Sequence, residues 1–286
     1  MKLAVDGLPT LAEVLASHNL HPNKSLGQNF LLDLSLTSKI ARCAGLLNTG
    51  TVIEVGPGPG GLSRALLLEG AGELIAIEKD CRFYTALAQI AEHYEGRFSV
   101  IEEDVLQIDV SRLGKEPRQI VANLPYNIAT VLLLKWLVTI YQTPKAITKM
   151  TLMFQKEVAM RICAQPGSSA YGRLSLLCQW LCDCEILFDI SPKAFTPPPK
   201  VASALVKFRP LVQPRYRASL EALQQVSGAA FGQRRKMLRQ SLKALCVHKD
   251  ISASALCESA NLKPTARAET VDLQGFCRLA RCYAQL

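Results

Sequence analysis

Val52-Ile53-Glu54-Val55-Gly56-Pro57-Gly58-Pro59-Gly60-Gly61 decides the fold. A β-rich apolar run enters a turn crowded with glycine, and a helical pattern follows it. Glycine lets a backbone approach a bound ligand closely and adopt positive φ. The helix beyond the turn brings its positive dipole end to the same place. A phosphate-binding P-loop would need Gly-Lys-Ser/Thr here, and that triplet is missing. The spacing Gly-x-Gly-x-Gly is shorter than the dinucleotide fingerprint, although Gly61 blurs the distinction. The loop therefore favours S-adenosylmethionine, with Gly56 and Gly58 against the ligand. On the loop alone NAD(P), FAD and a purely structural turn stay open.

Outward from this loop, short strand-like runs alternate with helical patterns. Strands are expected at Thr51–Val55, Glu73–Ile77, Phe98–Ile101, Gln119–Ala122, Ile147–Phe154, Leu176–Leu187 and Ala202–Phe208. Helices are expected near Gly61–Glu69, Asp80–His93, Ala129–Ile140 and Gln155–Ala164. This is an α/β pattern, a mostly parallel sheet with helices on both faces. Upstream, Thr10 caps a helix through Ser17 and Asp33 caps Leu34–Ala44, which makes a helical N-terminal arm. After Pro210 the strands stop. Arg217–Phe231, Arg234–Cys246, Ser252–Ser259 and Thr270–Ala284 read as helices, so the expected division is 1–210 followed by a small all-α domain, 211–286.

Two acids sharpen the ligand. Glu78 lies 22 residues beyond Gly56 at the end of the next strand, where a carboxylate can accept both ribose hydroxyls. Asp104 follows the third strand, where a carboxylate can accept from an adenine amino group. Each has a plainer alternative as a helix N-cap or a solvated loop acid. The fourth strand runs into Asn123-Leu124-Pro125-Tyr126, the sharpest signal in the chain. An adenine N6 amine is a poor nucleophile because its lone pair is delocalised into the ring. The Asn123 side-chain oxygen and the Leu124 carbonyl are two acceptors for its two N–H bonds, and Pro125 fixes the extended geometry. Tyr126 offers a face on which an extruded base can stack. Phe195, in the stiff run Phe195-Thr196-Pro197-Pro198-Pro199-Lys200, is the candidate second wall. The plainer readings are a strand-to-helix turn for the tetrapeptide and a core aromatic for Phe195.

Composition supports a nucleic-acid partner. The 286 residues carry a net charge of +9, and Lys207–Lys243 alone holds nine basic residues against Glu221. A neutral body with a basic C-terminal portion points to a polyanion, a solvated helix face being the plainer alternative. An anionic membrane surface fits less well, since no amphipathic helix with exposed Trp or Phe accompanies the charge. Asp6, Pro9 and Glu13 interrupt the N-terminal apolar residues, so no signal peptide is expected. Ten scattered cysteines then read as free thiols in a reducing compartment. Cys178, Cys182 and Cys184 lack CxxC spacing and a nearby His, so no metal is expected and they read as small side chains of a buried strand.

At these motifs the chain resembles the KsgA family of small-subunit ribosomal RNA adenine dimethyltransferases, from Ser25 to about Ala280. Ser25-Leu26-Gly27-Gln28-Asn29-Phe30-Leu31 is similar to the family's N-terminal cofactor motif, with Asn29 and Leu31 where the methyl donor is touched. Gly56, Glu78, Asp104 and Asn123 fall where the family binds the rest of it. Gln155-Lys156-Glu157-Val158, Ala170–Ser175 and the Phe195 loop also match. Phe231–Lys236, Arg239 and Arg267-Ala268-Glu269 favour this branch over the related enzymes of large-subunit RNA. One minor departure is Gly60-Gly61, where some members carry bulkier residues. The resemblance implies a Rossmann-like class I methyltransferase fold, with S-adenosylmethionine as cofactor. It implies transfer of two methyls to each of two adjacent adenosines in the hairpin loop near the 3′ end of small-subunit rRNA.

The partner would be the small ribosomal subunit and its rRNA, for a monomeric cytoplasmic protein with no membrane attachment. Arg234, Arg235, Lys236 and Arg239 are the expected phosphate contacts, with Arg235 and Arg239 on one helix face. Lys156 and Arg161 are second-tier RNA candidates. Competing readings are methylation of large-subunit rRNA and a ribosome assembly factor that has lost its chemistry. A nicotinamide-dependent oxidoreductase is remote, because it leaves Asn123–Tyr126 unexplained.

Overall fold

The computed structural model describes residues 4–23, 26–247 and 249–286. Ser25, the first residue of the N-terminal motif, lies outside them. The N-terminal part holds helix α1 (Leu11–Ser17), strand β1 (Phe30–Leu31) and helix α2 (Leu34–Ala44). Then come β2 (Thr51–Val55), α3 (Gly61–Leu68), β3 (Leu74–Glu78), α4 (Tyr84–His93), β4 (Phe98–Glu102), β5 (Arg118–Ala122), α5 (Tyr126–Gln142), β6 (Lys149–Gln155) and α6 (Lys156–Ile162). They are followed by α7 (Arg173–Leu181), β7 (Cys182–Ile190), β8 (Phe195–Thr196) and β9 (Ser203–Pro210). The last part is helical: α8 (Leu220–Gly232), α9 (Leu238–Ser241), α10 (Lys243–Cys246), α11 (Ala253–Ser259) and α12 (Leu273–Ala284).

Seven strands form one sheet in the order β4-β3-β2-β5-β6-β9-β7. Pairing is parallel from β4 to β6, and β9 joins β6 antiparallel. Every residue of β2, β3 and β5 is buried, as central parallel strands covered on both faces require. The chain order reverses between β2 and β5, so their C-terminal ends open a crevice for a ligand. The chain divides into two compact units, residues 1–159 with 185–210, and residues 160–184 with 211–286. The second unit has its own aromatic core. Phe231 stacks on Phe276 at 5.4 Å between ring centroids and meets the edge of Tyr171 at 6.0 Å.

Local capping sets the early helices. Thr10 and Glu13 form a reciprocal capping box at α1, and the Asp33 carboxylate accepts the Ser35 N–H at α2. Helix α5 begins three residues earlier than expected, because Pro125 takes the capping position and its carbonyl accepts from Ile128 and Ala129. Two expectations fail. The apolar run Leu176–Leu187 is not one strand: α7 extends to Leu181 and the strand starts at Cys182. Leu176–Leu181 is buried on nearly every side and shows no helical period, and the alternation of a strand begins only at the exposed Asp183 and Glu185. Cys178 therefore sits in a helix, with Cys182 and Cys184 in β7. All ten cysteines are free, and burial raises the Cys178 thiol and pushes the Cys182 thiol up to about 12.

The second failure is Arg234–Cys246. Arg234–Met237 is a turn, and only the short helices α9 and α10 follow. Met237 bridges Arg267 in antiparallel fashion, which pulls the backbone out of a helical path. Arg235 and Arg239 consequently do not share one helix face.

Two buried carboxyls in the first unit titrate in opposite directions. Arg64 of α3 is 1% exposed, and its guanidinium forks onto the Asp6 carboxylate, with Nε donating to Oδ2 at 2.6 Å. Its third contact is the Pro9 carbonyl at 2.7 Å, so the segment before α1 is clipped to α3. Burial would raise the Asp6 carboxyl, but the Arg64 hydrogen bonds and charge outweigh it and hold it below the ordinary value. Glu54 of β2 is also buried and accepts from the Ser63 hydroxyl at 2.5 Å. Burial and, after it, the charge of Glu78 push its carboxyl up to about 8 against the pull of Ser63.

Removing one partner of the Arg64–Asp6 pair, as in Asp6→Ala, should cost about 3–5 kcal/mol in urea unfolding. That pair's contribution is full above the ordinary Asp value of 3.8 and is lost on acidification below it. Glu54 acts in reverse. Its folded carboxyl is the weaker acid, so stability is full below 4.5 and falls as pH rises toward 8. Glu54→Gln should flatten that alkaline loss, and an unchanged slope would refute the assignment.

Candidate active site

A cavity of about 220 Å³ opens at the C-terminal ends of β2, β3, β4 and β5. Its walls come from residues 26–31, the glycine loop, the end of β3, residues 103–106 and the tetrapeptide with the first turn of α5. Asn29, Leu31, Gly56, Gly58, Glu78, Asp104, Asn123, Leu124, Pro125 and Tyr126 all line it. Sequence positions spread over about a hundred residues thus meet at one place.

The glycines serve different ends. Gly56 has φ of +68°, and a Cβ there would meet only Pro125 at 3.8 Å, so the space beside it is open to a ligand. A Cβ on Gly61 would stand 2.5 Å from the Leu31 carbonyl, so the close passage of β1 forbids any side chain there. Glu78 ties the loop to β3. Its Oε2 accepts the Gly58 N–H at 3.0 Å and its Oε1 accepts the Asp80 N–H at 2.8 Å. Burial raises the Glu78 carboxyl, and those N–H bonds oppose the rise. Each oxygen keeps a lone pair for a further donor such as a ribose hydroxyl. This buried acceptor beside an open glycine fits a nucleoside.

Asp104 is both a cap and a pocket acid. Its Oδ1 accepts the Leu106 N–H at 3.0 Å, and its Oδ2 meets Lys79 Nζ at 2.7 Å. The Lys79 hydrogen bond, followed by that of the Leu106 N–H, holds its carboxyl below the ordinary range. The N-terminal segment is fastened over the cavity by residues the sequence did not single out. Gln28 donates to Asp80 Oδ2 at 2.8 Å and accepts the Asn23 N–H at 2.8 Å, while Arg82 forks onto Asp80 and reaches the His21 carbonyl.

The tetrapeptide is oriented from the same segment. Asn123 Nδ2 donates to the Asn29 carbonyl at 3.1 Å. One of the two amide N–H bonds is thereby engaged, and the Asn123 oxygen is the acceptor that the side chain offers. Tyr126 is half-buried, and its hydroxyl shares a hydrogen bond with Ser203. Burial raises the Tyr126 hydroxyl. Glu54 at the cavity floor and Ser203 were missed from sequence. A carboxyl inside an otherwise apolar strand was the available signal for the first.

Other expected residues lie elsewhere. Phe195 is 3% exposed and does not line the cavity. Its backbone pairs with Leu31, and its ring belongs to the same apolar cluster as Phe30 and Leu31. Lys156 forms an exposed ion pair with Asp189, and Arg161 is exposed on α6. In the second unit, Arg234 is committed to its own chain. It donates to Glu269 at 2.7 Å and to the carbonyls of Ser169 and Ser168. Arg235, Lys236 and Arg239 are exposed.

Residues 19–284 match the family model for ribosomal RNA adenine dimethylase. A protein of Rhodospirillum rubrum named ribosomal RNA small subunit methyltransferase A is 55% identical over 96% of this chain and 93% of its own length. A protein of the same name from Xanthobacter autotrophicus is 54% identical over 99% of this chain and 96% of its own. Among solved structures, a dimethyladenosine transferase of Plasmodium falciparum superposes with a TM-score of 0.72 at 24% identity, covering 86% of this chain and 94% of that one. The 23S rRNA methyltransferase ErmE superposes at 0.65 with 25% identity, covering 90% and 100%. With nearly its whole length matched by the family model and by relatives above 50% identity, this chain belongs to the ribosomal RNA adenine dimethylase family.

Proposed function

We propose that this protein dimethylates N6 of two adjacent adenosines in the 3′-terminal hairpin loop of small-subunit rRNA during ribosome biogenesis. It is an S-adenosylmethionine-dependent enzyme. The observation that carries the reading is the Asn123 amide on the cavity wall, held there by its hydrogen bond to the Asn29 carbonyl. The small-subunit target is supported by relatives above 50% identity along almost the whole chain, against 25% for the large-subunit enzyme.

S-adenosylmethionine supplies an electrophilic methyl on a sulfonium. Glu78 accepts from the ribose of the donor and Asp104 from its adenine, while the open side of Gly56 lets the backbone approach. Asn123 Oδ1 and the Leu124 carbonyl accept from the two N–H bonds of the target amine and turn its lone pair out of ring conjugation. Positioning and polarisation then supply the rate, and the proton of the alkylated nitrogen leaves to solvent. A monomethylated amine keeps one N–H for the same acceptors, so a second round uses the same site. Tyr126 forms one wall for the extruded base. We assign the other wall to Phe195, whose backbone pairs with the cavity-lining Leu31 and whose buried ring would have to become accessible to an entering base.

Residues 211–286 form the RNA-binding part in this reading, with Arg235, Lys236 and Arg239 on phosphates. Arg234 holds the turn that presents them. Lys156 and Arg161 are secondary contacts. In this reading the protein acts as a monomer on the small subunit, in the cytoplasm.

Unmodified small subunits incubated with labelled donor should yield N6,N6-dimethyladenosine at two neighbouring positions, and large subunits should yield none. Label only in large subunits would overturn the substrate assignment. Asn123→Ala should lower kcat by about 10²-fold or more, the scale of losing one transition-state acceptor or donor. Subunit binding should weaken steeply with salt. Removing Arg235, Lys236 and Arg239 together should reduce the log–log salt slope by about 2 to 3. An affinity indifferent to salt would sink the phosphate role.

A further inference from the structure

Helix α5 begins at Tyr126 and carries Lys135 nine residues further on. The Lys135 ammonium is half-buried and donates to three backbone carbonyls of one short loop: Leu106 at 2.7 Å, Ile108 at 2.9 Å and Val105 at 3.3 Å. An ammonium has three N–H bonds, so its donor capacity is used in full. The loop it gathers is the single turn Val105–Gln107, capped by Asp104. That turn has little to hold it by itself, with Gln107 N–H to Asp104 at 2.8 Å and Ile108 N–H to Val105 at 3.2 Å. Asp104, Val105 and Leu106 are cavity wall. On the opposite side Asp104 has Lys79, whose side chain is 64% exposed and a weak anchor.

We propose that Lys135 is a positioning residue for the adenine end of the methyl donor. This rests on the donor-binding reading given above. The ammonium neutralises three converging carbonyl dipoles and fixes the turn so that Asp104 and its neighbours present a formed wall to the adenine. It does so from the helix whose first residue is Tyr126. The adenine wall and the base-stacking tyrosine are therefore set by one rod, on which Tyr126 and Lys135 lie roughly 13 Å apart along the axis. Lys135 touches neither donor nor RNA.

The test is donor saturation kinetics on unmodified small subunits with wild type, Lys135→Met and Lys135→Arg, with thermal melts in parallel. Lys135→Met keeps the stem and loses the donors. Its KM for S-adenosylmethionine should rise about tenfold, the equivalent of one hydrogen bond's worth of loop ordering. At saturating donor, kcat and the KM for subunits should stay within about twofold, since only ground-state grip on the donor is lost. Inhibition by 5′-methylthioadenosine, which has the adenosyl half without the amino acid, should weaken by the same factor as the donor KM rises. Lys135→Arg, which still donates to carbonyls, should recover most of the loss.

A lowered melting temperature with unchanged donor KM would mark a merely structural lysine and overturn the proposal. So would a fall in kcat at constant KM, or unaltered inhibition by methylthioadenosine. If Lys135→Met does not fold, Lys135→Gln, with two N–H donors, is read by the same criteria. A wild type inactive with the donor would overturn the functional reading along with this one, whereas a normal Lys135→Met beside an active wild type overturns this one alone.

Discussion

Two backbone N–H groups, from Gly58 and Asp80, converge on the buried carboxylate of Glu78, and the rest of the site is built around that convergence. The bonds lock the glycine loop after β2 to the end of β3. They also oppose the rise that burial imposes on the Glu78 carboxyl, on the wall of the cavity. From there the constraints spread outward. Asp80, aligned by its own N–H, receives Gln28 and Arg82, and these hold the N-terminal segment across the cavity. That segment supplies the Asn29 carbonyl that turns Asn123. Glu78, Asp80, Gln28 and Asn123 are in this way parts of one hydrogen-bonded assembly around the cavity.

Much of this was legible in the sequence where local rules decide. The bounds Thr51–Val55 and Leu34–Ala44 follow from an apolar strand run and an Asp33 cap, and both match the structure. The donor residues were legible for a topological reason, since a doubly wound sheet delivers its strand ends to one edge. What escaped reading depends on tertiary contact. Leu176–Leu181 is buried almost throughout and shows no period, and the strand after it alternates only through Asp183 and Glu185, so packing decides where helix becomes strand. The break at Arg234–Met237 comes from a bridge to Arg267 and from carbonyls at Ser168 and Ser169, far away in sequence. The pairing of Phe195 with Leu31 spans two residues per strand, too short for any alternation to announce it. Lys135 looks like any polar residue on a long helix.

The basic segment shows how charge counting and geometry part company. Arg234 contributes to the formal excess but is neutralised by Glu269 and spent on backbone, while its neighbours remain exposed. The Arg234 guanidinium, bonded through all three of its nitrogens, holds the turn, while the exposed cations beside it keep their charge at the surface. The buried acceptors thus lie at the strand ends of the first unit, and the exposed cations Arg235, Lys236 and Arg239 in the second.

The clip between Asp6 and Arg64 carries a practical consequence for handling the protein. Arg64 lies one turn into the helix whose start shapes the donor loop, and it is nearly inaccessible to water. Trimming the first residues, or fusing a bulky affinity tag that displaces Asp6, would strip the counter-charge from a buried guanidinium. Damage from such cosmetic editing would surface as poor donor retention, far from the edited end in function if not in space. A C-terminal tag, attached beyond α12, avoids that liability.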